Sequence, residues 1–187
     1  MAKLKIYTDG GCLGNGEQES AGGWGAVLVF GEHVKELHGG QPSTTNNRME
    51  MTALLQALRA LNKEGLEIDL FSDSSYVIKC FRDKWYVKWQ KNNWKNSSKE
   101  PVANADLWEE LIAEVAKHRI NFYLIKGHIN PNSYDTTLKK HYDKFIANNG
   151  PGFSFDEFME IARINNRVDE LATQGISEVK NAKESEV

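Results

Sequence analysis

Four separated segments of the chain each place one carboxylate among small, amide or hydroxyl side chains, where a purely structural role is not obvious. The acidic residues are Asp9, Glu50, Asp73 and Asp169. Hard divalent cations such as Mg2+ take oxygen ligands, typically a few carboxylates together with waters and substrate phosphates. None of the four segments carries the cluster of cysteine and histidine that zinc prefers. If the fold brings the four carboxylates together, the chain has a hard-metal site.

Two of these carboxylates come at the ends of segments with the pattern of a β-strand. Lys3 to Asp9 alternates in polarity, and Leu66 to Ser72 is the next predicted strand and precedes Asp73. In open α/β sheets, ligands bind beyond the carboxyl ends of the strands. A single Asp at a strand end more often caps a turn. Two of them on neighbouring strands would stand side by side, and this pairing favours a site.

The other two carboxylates fall on predicted helices. Glu50 lies one turn before Leu54, beside the apolar stripe of its helix. A lone Glu near a helix start often only complements the helix dipole, but the short polar side chains of residues 44–48 also suit contact with phosphate or sugar. Asp169 shares a helix face with Asn165. Spacing alone leaves a plain surface role open for Asp169.

The order of predicted elements indicates an α/β fold, with a mixed sheet and helices on both of its faces. The expected strands are Lys3–Asp9, Gly22–Phe30, His33–His38, Leu66–Ser72 and Ile120–Lys126. The expected helices run from Thr44 or Thr45 to about Leu61, from Ser74 to Phe81, from Asp106 to Lys117, and from Ile161 to about Ile176. Residues 1–176 then form a single domain. Residues 177–187 are charged and lack an apolar stripe, so a flexible tail is expected there.

The bulk properties are those of an ordinary globular protein. Of the 187 residues, 40% are hydrophobic and 26% are charged, and no apolar run approaches the ~20 residues that cross a membrane. No signal-peptide pattern opens the chain. The two cysteines, Cys12 and Cys80, are too few for a disulfide framework. We therefore expect a cytoplasmic protein that does not associate with membranes.

A basic stripe runs against the net charge of −3. Between residues 79 and 99, seven basic residues accompany a single acidic one, Asp83. Tryptophans are interleaved with these lysines, as on surfaces that follow a nucleic-acid backbone. Local charge matters more to a polyanion than net charge does. Trp89 and Trp94 are equally compatible with a place in the core.

Several separated motifs, in order and in similar context, resemble those of type 1 ribonuclease H of the bacterial kind. The motifs are Asp9–Asn15, Thr44–Glu50, Ser72–Ser74, Lys126–His128 and Asn165–Ala172, and the basic stripe with Pro101–Trp108 resembles the basic handle of that family. The resemblance implies the ribonuclease H-like fold, with three antiparallel strands and then two parallel ones in a five-stranded sheet. It also implies a monomer that cleaves the RNA strand of RNA–DNA hybrids endonucleolytically, leaving 5′-phosphate and 3′-hydroxyl ends, with two Mg2+ ions for which Mn2+ can substitute.

The same resemblance assigns roles to individual residues. The metal ligands of the family fall on Asp9, Glu50, Asp73 and Asp169, and its mobile catalytic histidine falls on His128. Contacts to the substrate are expected from eight further residues. Six follow from the resemblance, and the basic stripe adds Lys88 and Lys91. That set comprises Cys12, Asn15, Thr45, Asn46, Trp85, Lys88, Lys91 and Asn104.

The chain departs from the family pattern in the long segment between His128 and Asp169. The extra residues, about 129–160, are rich in aromatic side chains, so we expect one or two packed helices rather than a solvated linker. The side chains expected to pack at the domain edge near the active site are Tyr142, Phe145, Phe155 and Phe158. An alternative role is contact with the substrate through Lys139, Lys140 and Lys144, which lie close in sequence to His128; packing is the favoured interpretation. Four further carboxylates could compete with Asp169 as the fourth ligand. They are Asp135, Asp143, Asp156 and Glu157.

Two other functions remain to be weighed against hybrid cleavage. One is a binding module that kept the fold without catalysis, which the complete set of four carboxylates disfavours. The other is a related nuclease acting on DNA junctions, which the basic stripe and residues 44–48 disfavour. Ser75 stands where the family often has a longer amide side chain, so one contact to RNA is expected to be missing.

Overall fold

A computed structural model gives the structure of the chain and describes residues 3–14 and 20–185. Five strands form one mixed sheet in the order β3-β2-β1-β4-β5, which confirms the predicted architecture. The strands are β1 (Leu4–Cys12), β2 (Ser20–Phe30), β3 (His33–Thr44), β4 (Glu67–Ser72) and β5 (Arg119–Leu124). β1 pairs antiparallel with β2 and parallel with β4, and β4 pairs parallel with β5.

Helices cover both faces of the sheet and bury two separate apolar clusters. The helices are α1 (Asn46–Arg59), α2 (Ser75–Arg82), α3 (Trp85–Lys91), α4 (Ala105–Val115), α5 (Asp135–Asn149) and α6 (Phe155–Ser185). On one face α1, α2 and α4 bury side chains such as Leu54, Leu70 and Trp108. On the other face α5 and α6 pack against Tyr7 and Phe71. None of the helices in the described part of the chain has the length and apolarity to span a membrane.

The register between β1 and β4 fixes the position of the two strand-end carboxylates. Thr8 pairs with Ser72 in the parallel ladder. Asp9 and Asp73 each follow this last pair, so they stand side by side where the parallel ladder ends, although β1 itself stays paired with β2 as far as Cys12. This is the juxtaposition that the strand pattern predicted.

Glycines let α6 approach the sheet closely. A Cβ on Gly25 of β2 would lie 2.5 Å from the carbonyl oxygen of Val168, and one on Gly40 of β3 would lie 2.6 Å from Cγ2 of Val179. A side chain at either position would push the helix away. The close packing holds the segment around Asp169 against the sheet.

The last helix is longer than its predicted range of Ile161 to Ile176 at both ends. It begins at Phe155 and continues to Ser185, where the sequence predicts a flexible tail from Ser177. The extension is held by contacts to β3, since Glu178 bonds His38 at 2.9 Å and Val179 packs over Gly40. Likewise β3 reaches Thr44 rather than ending at His38, because it stays paired with β2 along that length.

The extra segment forms α5 and the first turns of α6, as the aromatic content predicts. Phe145 and Phe158 are buried, and Tyr142 packs at the edge of the same cluster. Phe155 stays 38% exposed, although its ring centroid lies 5.5 Å from that of Tyr142. The packing expectation is therefore confirmed for three of the four aromatic residues and only partly for Phe155.

The end of α5 is tied to the outer edge of β5. The side-chain amide of Asn149 accepts a hydrogen bond from the N–H of Leu124 at 2.9 Å and donates one to its carbonyl at 2.8 Å. The guanidinium of Arg82 donates to the carbonyl of Phe122 at 2.8 Å and to that of Asn148 at 3.0 Å. The added helix is thus fixed to the sheet by polar contacts as well as by its apolar face.

Candidate metal centre and substrate cleft

Three carboxylates converge where the parallel pairing of β1 with β4 ends. An oxygen from each of Asp9, Glu50 and Asp73 lies within 4.8 Å of the others. Glu50 arrives from the first turns of α1, which can approach β1 because Gly10 has no side chain. A Cβ on Gly10 would overlap the backbone of Met49 and Glu50. The structure thus brings together the three carboxylates that two strand ends and one helix start predict.

Burial and mutual repulsion make this cluster unfavourable as a set of free anions. Burial, followed by the charge of Asp73, raises the pKa of Asp9 to about 8. Burial and the charges of Asp9 and Asp73 likewise raise the pKa of Glu50 well above its usual range. The Oε2 atom of Glu50 is buried and has no hydrogen-bond partner among the described residues. An unpartnered buried carboxylate oxygen that faces two other carboxylates matches the donor set of a divalent cation.

The fourth predicted ligand lies beside the trio. Asp169 lines the same cavity, of about 380 Å³, and is at hydrogen-bonding distance from Asp9. Its side chain is 40% exposed, so it is more accessible to solvent than the carboxylate of Asp9. The structure therefore places all four predicted metal ligands in one cavity.

The competing carboxylates of the extra segment do not line this cavity. Asp143 is paired with Lys139 at 2.9 Å. Glu157 accepts a hydrogen bond from the backbone of Ser154 at 2.8 Å, at the start of α6. Asp135 and Asp156 lie in the first turns of α5 and α6. Of these five carboxylates, Asp169 is the one that lines the cavity in the described part of the chain.

His128 stands at the mouth of the same cavity on an exposed loop. Its Nδ1 atom lies 3.5 Å from Oδ2 of Asp169, and its side chain is 76% exposed. The residue has a positive φ of 55°, a backbone conformation that residues other than glycine rarely adopt. The amide of Asn166 anchors the loop by donating to the carbonyl of Ile129 at 2.8 Å. The imidazole is thus held near the carboxylates while remaining accessible to solvent.

Two residues that contribute to the site escape prediction from the sequence. Asn165 is 1% exposed and donates a side-chain hydrogen bond to Asp73, which opposes the increase that burial causes in the pKa of Asp73. Gly127 lies against the same carboxylate, where a Cβ would overlap Oδ2 of Asp73. The only sequence signals are the shared helix face of Asn165 and Asp169, and the position of Gly127 directly before His128.

The predicted substrate contacts divide into two groups, of which the first adjoins the carboxylates. Cys12 and Asn46 line the acidic cavity, and the N–H of Cys12 donates to Oδ1 of Asn46 at 2.7 Å. Thr45 caps α1 by accepting from the N–H of Arg48. Asn104 accepts from the guanidinium of Arg48 at 3.3 Å. Asn15, predicted as a further contact, lies outside the described residues.

Arg48 links α1 to the start of α4 and was not predicted as a functional residue. Its guanidinium donates to both carboxylate oxygens of Asp106, at 3.1 and 2.9 Å. This bidentate pair holds the segment of Asn104 beside the start of α1. The polar residues predicted as contacts at the two helix starts therefore form one continuous surface beside the cavity.

The second group of predicted contacts lies on α3, away from the carboxylates. Trp85 and Lys88 line a separate groove, and Lys88 and Lys91 are exposed. Trp89 and Trp94 pack against the core, and the ring of Trp89 lies 5.7 Å from that of Trp108. The tryptophans thus anchor α3 to the domain while its lysines face solvent.

Comparisons with known proteins agree with this geometry. The family model described as RNase H matches residues 1–139. A protein of Chlorobium luteolum named Ribonuclease H is 51% identical over 126 residues, which cover 67% of this chain and 84% of the relative. A Ribonuclease H of Clostridium botulinum is 47% identical over 140 residues, covering 75% of this chain and 93% of the relative.

Solved structures share the fold at much lower identity. The N-terminal RNase H domain of Rv2228c from Mycobacterium tuberculosis, solved as a fusion with maltose-binding protein, gives a TM-score of 0.62 at 19% identity, covering 98% of this chain and 99% of that one. LC11-RNase H1 in complex with an RNA/DNA hybrid gives a TM-score of 0.53 at 18% identity, with 94% and 98% coverage. The sheet order, the acidic cavity and these matches lead to one conclusion. The chain belongs to the ribonuclease H family.

Proposed function

We propose that the protein is an endonuclease that hydrolyses the RNA strand of RNA–DNA hybrids. The observation that carries the proposal is the convergence of Asp9, Glu50, Asp73 and Asp169 in one cavity, beside a polar surface suited to a sugar–phosphate backbone. The relatives that bear the name Ribonuclease H support this activity. A binding module without catalysis has no use for buried carboxylates that raise one another's pKa.

The four carboxylates fit divalent cations and would hold two Mg2+ ions, for which Mn2+ can substitute. The fit rests on the unpartnered Oε2 atom of Glu50 and on the close approach of three carboxylates. Bound together, two such ions supply an activated water and stabilise charge on the attacking and leaving oxygens of a phosphodiester. Positive charge also relieves the repulsion among the ligands, so folding and metal binding are coupled.

The chain's own residues bind the substrate and move protons. Asn46 and the backbone around Cys12 lie against the cavity, where they can contact the strand being cut. The imidazole of His128 can take a proton from the water or give one to the departing oxygen, because histidine exchanges protons near neutral pH and this one is exposed at the cavity mouth. The lysines of α3 add affinity for the backbone at a distance from the cut bond.

A cleavage assay with defined duplexes tests the proposal. RNA–DNA hybrid labelled on the RNA strand should be cut internally with Mg2+ and left intact with a chelator, and double-stranded RNA and DNA should both resist. Ligation of the products to a 3′-hydroxyl acceptor, before and after phosphatase treatment, tests for 5′-phosphate ends. Binding of the hybrid without any cleavage in Mg2+ or Mn2+ would overturn the proposal in favour of the binding module.

All four ligands come from one chain, which supports a monomer as the active species. Light scattering at the concentration of the assay tests this part of the proposal. A site that needs no second copy predicts that the specific activity stays constant on dilution.

A further inference from the structure

The outward surface of α5 has two sides of different character. On one side Lys139 bonds both carboxylate oxygens of Asp143, at 2.9 and 3.0 Å, so the two charges offset each other. On the other side Lys140 and Lys144 are exposed and lie one turn apart. Neither lysine has an ion-pair partner among the described residues.

The side with the unpaired lysines faces the loop that carries the catalytic histidine. His141 lies between these two lysines in the sequence, and its side chain is half-buried. Burial lowers the pKa of His141, and the charges of Lys126 and Lys144 lower it further. Ile125, the neighbour of Lys126, packs in one cluster with Leu138 and Phe145 of α5, so Lys126 lies near the side of α5 that carries Lys140 and Lys144, and it is exposed. It also precedes Gly127, the residue packed against Asp73. A strip of positive charge thus runs from the edge of the acidic cavity onto α5.

This strip lies across the sheet from the other basic surface. The tryptophans of α3 pack on the cluster formed by α1, α2 and α4, whereas α5 packs on the cluster of the opposite face. The acidic cavity opens at the strand ends between these two faces. A duplex bound at the cavity extends in both directions from the cut bond, and α3 serves only one of them.

Like charges without acidic partners do not stabilise the free protein, and exposed lysines repel one another weakly when they lie one turn apart. Exposed lysines without an ion-pair partner among the described residues, in a chain with a net charge of −3, mark a local surface for a polyanion. The packing of Leu138 and Phe145 explains why α5 folds. This packing does not explain the distribution of charge on the outer surface of α5, where Lys139 is paired with Asp143 and Lys140 and Lys144 are not paired.

We propose that Lys126, Lys140 and Lys144 form a second contact surface for the sugar–phosphate backbone of the hybrid, on the opposite side of the cleavage cavity from α3. The inference rests on the proposed function and extends it to the residues that follow His128. The added helix is then a part of the substrate cleft as well as a packing element.

The test compares a double variant, Lys140→Gln/Lys144→Gln, with a matched control, Lys35→Gln/Lys63→Gln. The control removes the same charge from the end of the sheet remote from the cavity. Lys126 is left in place because of its closeness to His128. KM and kcat are measured at several salt concentrations on a long hybrid that extends past α5 and on a short hybrid confined to the cavity.

Two phosphate contacts contribute about 1.8 to the log–log salt slope, so between 50 and 200 mM salt the KM of the wild type should rise about 12-fold more than that of the double variant. The effect should appear on the long hybrid, with kcat unchanged, and shrink on the short one. The control should retain the wild-type slope.

Equal salt slopes for the wild type and the double variant on the long hybrid would overturn the inference, as would an equal loss in the control, which would indicate bulk charge alone. Both results presuppose cleavage by the wild type. Failure of the wild type to cut hybrid at all would instead overturn the proposed function, so the two failures are distinguishable. Circular dichroism of the double variant confirms that α5 remains folded.

Discussion

Asp9→Asn should raise the free energy of unfolding of the metal-free protein, and the size of this increase should depend on pH. Asp9 is 7% exposed, and its pKa rises from 3.8 to about 8 because of burial and the neighbouring charge of Asp73. A carboxyl with a raised pKa in the folded state does not destabilise the fold below pH 4, where both states bind the proton. Stability is lost progressively as the pH rises from about 4 to about 8, because over that range the unfolded state releases the proton and the folded state retains it.

The size of the effect follows from the same shift. Each tenfold change in proton affinity corresponds to about 1.4 kcal/mol, so the full shift sets an upper bound of about 5–6 kcal/mol for Asp9. Water entry and relaxation around clustered charges reduce such figures severalfold, so we expect Asp9→Asn to gain about 2 kcal/mol at pH 8. In a domain of this length, that gain raises Tm by about 4–8 °C.

Thermal unfolding in the presence of a chelator, at pH 4.5 and at pH 8, measures the effect. The variant and the wild type should unfold at similar temperatures at the lower pH and diverge at the higher one. Adding Mg2+ should then stabilise the wild type more than the variant, since ligands that bind only the folded state raise its stability. Asp143→Asn serves as the control, because Asp143 is exposed and paired with Lys139, and it should show no gain. If the Tm of the wild type and that of Asp9→Asn changed with pH in the same way, the reasoning would be refuted.

Three further expectations concern catalysis. Asp73→Asn should abolish cleavage while hybrid binding stays largely intact, because it removes a ligand charge and keeps the shape; substantial Mg2+-dependent activity would contradict the assignment. Lys88→Ala/Lys91→Ala should raise KM and lower the salt slope by up to about 1.8 with little change in kcat, and an unchanged slope would show that α3 does not touch the substrate. Gly127→Ala should reduce kcat by about tenfold or more, since a displacement of about 1 Å near the reacting groups can cost a hundredfold. A Cβ there overlaps Asp73, whereas Gly152→Ala, where a Cβ meets nothing within 4 Å, should be neutral.

The carboxylate site could be predicted from the sequence because its geometry follows from local rules. Asp9 ends one predicted strand and Asp73 follows another, both with clear patterns, and parallel pairing of β1 with β4 brings the two residues side by side, although β1 continues to Cys12. Glu50 follows a capped helix start, and the missing side chain at Gly10 lets that start approach β1. In each case a local sequence pattern predicts the element that carries the carboxylate and the carboxylate's position on it.

Other features depend on contacts between distant parts of the chain. The hydrogen bond from Asn165 to Asp73 and the packing of Gly127 on the same carboxylate require the exact placement of α6 and of the loop after β5. The extension of α6 past Ile176 is set by Glu178 and its contact to β3, which the charged local sequence does not reveal. Phe155 has the composition of a core residue, but it reaches only the outer side of the aromatic cluster.

The way α5 ends has a consequence for the behaviour of the protein in solution. β5 is the last strand of the sheet, and an outermost strand with free N–H and C=O groups is a template on which another chain can add a strand and start aggregation. Here the amide of Asn149 occupies both hydrogen-bonding groups of Leu124, and Arg82 occupies the carbonyl of Phe122. These side chains fill hydrogen-bonding positions that the backbone of a neighbouring strand would otherwise take. These contacts therefore also hinder the addition of a strand from another chain along the Phe122–Leu124 part of β5.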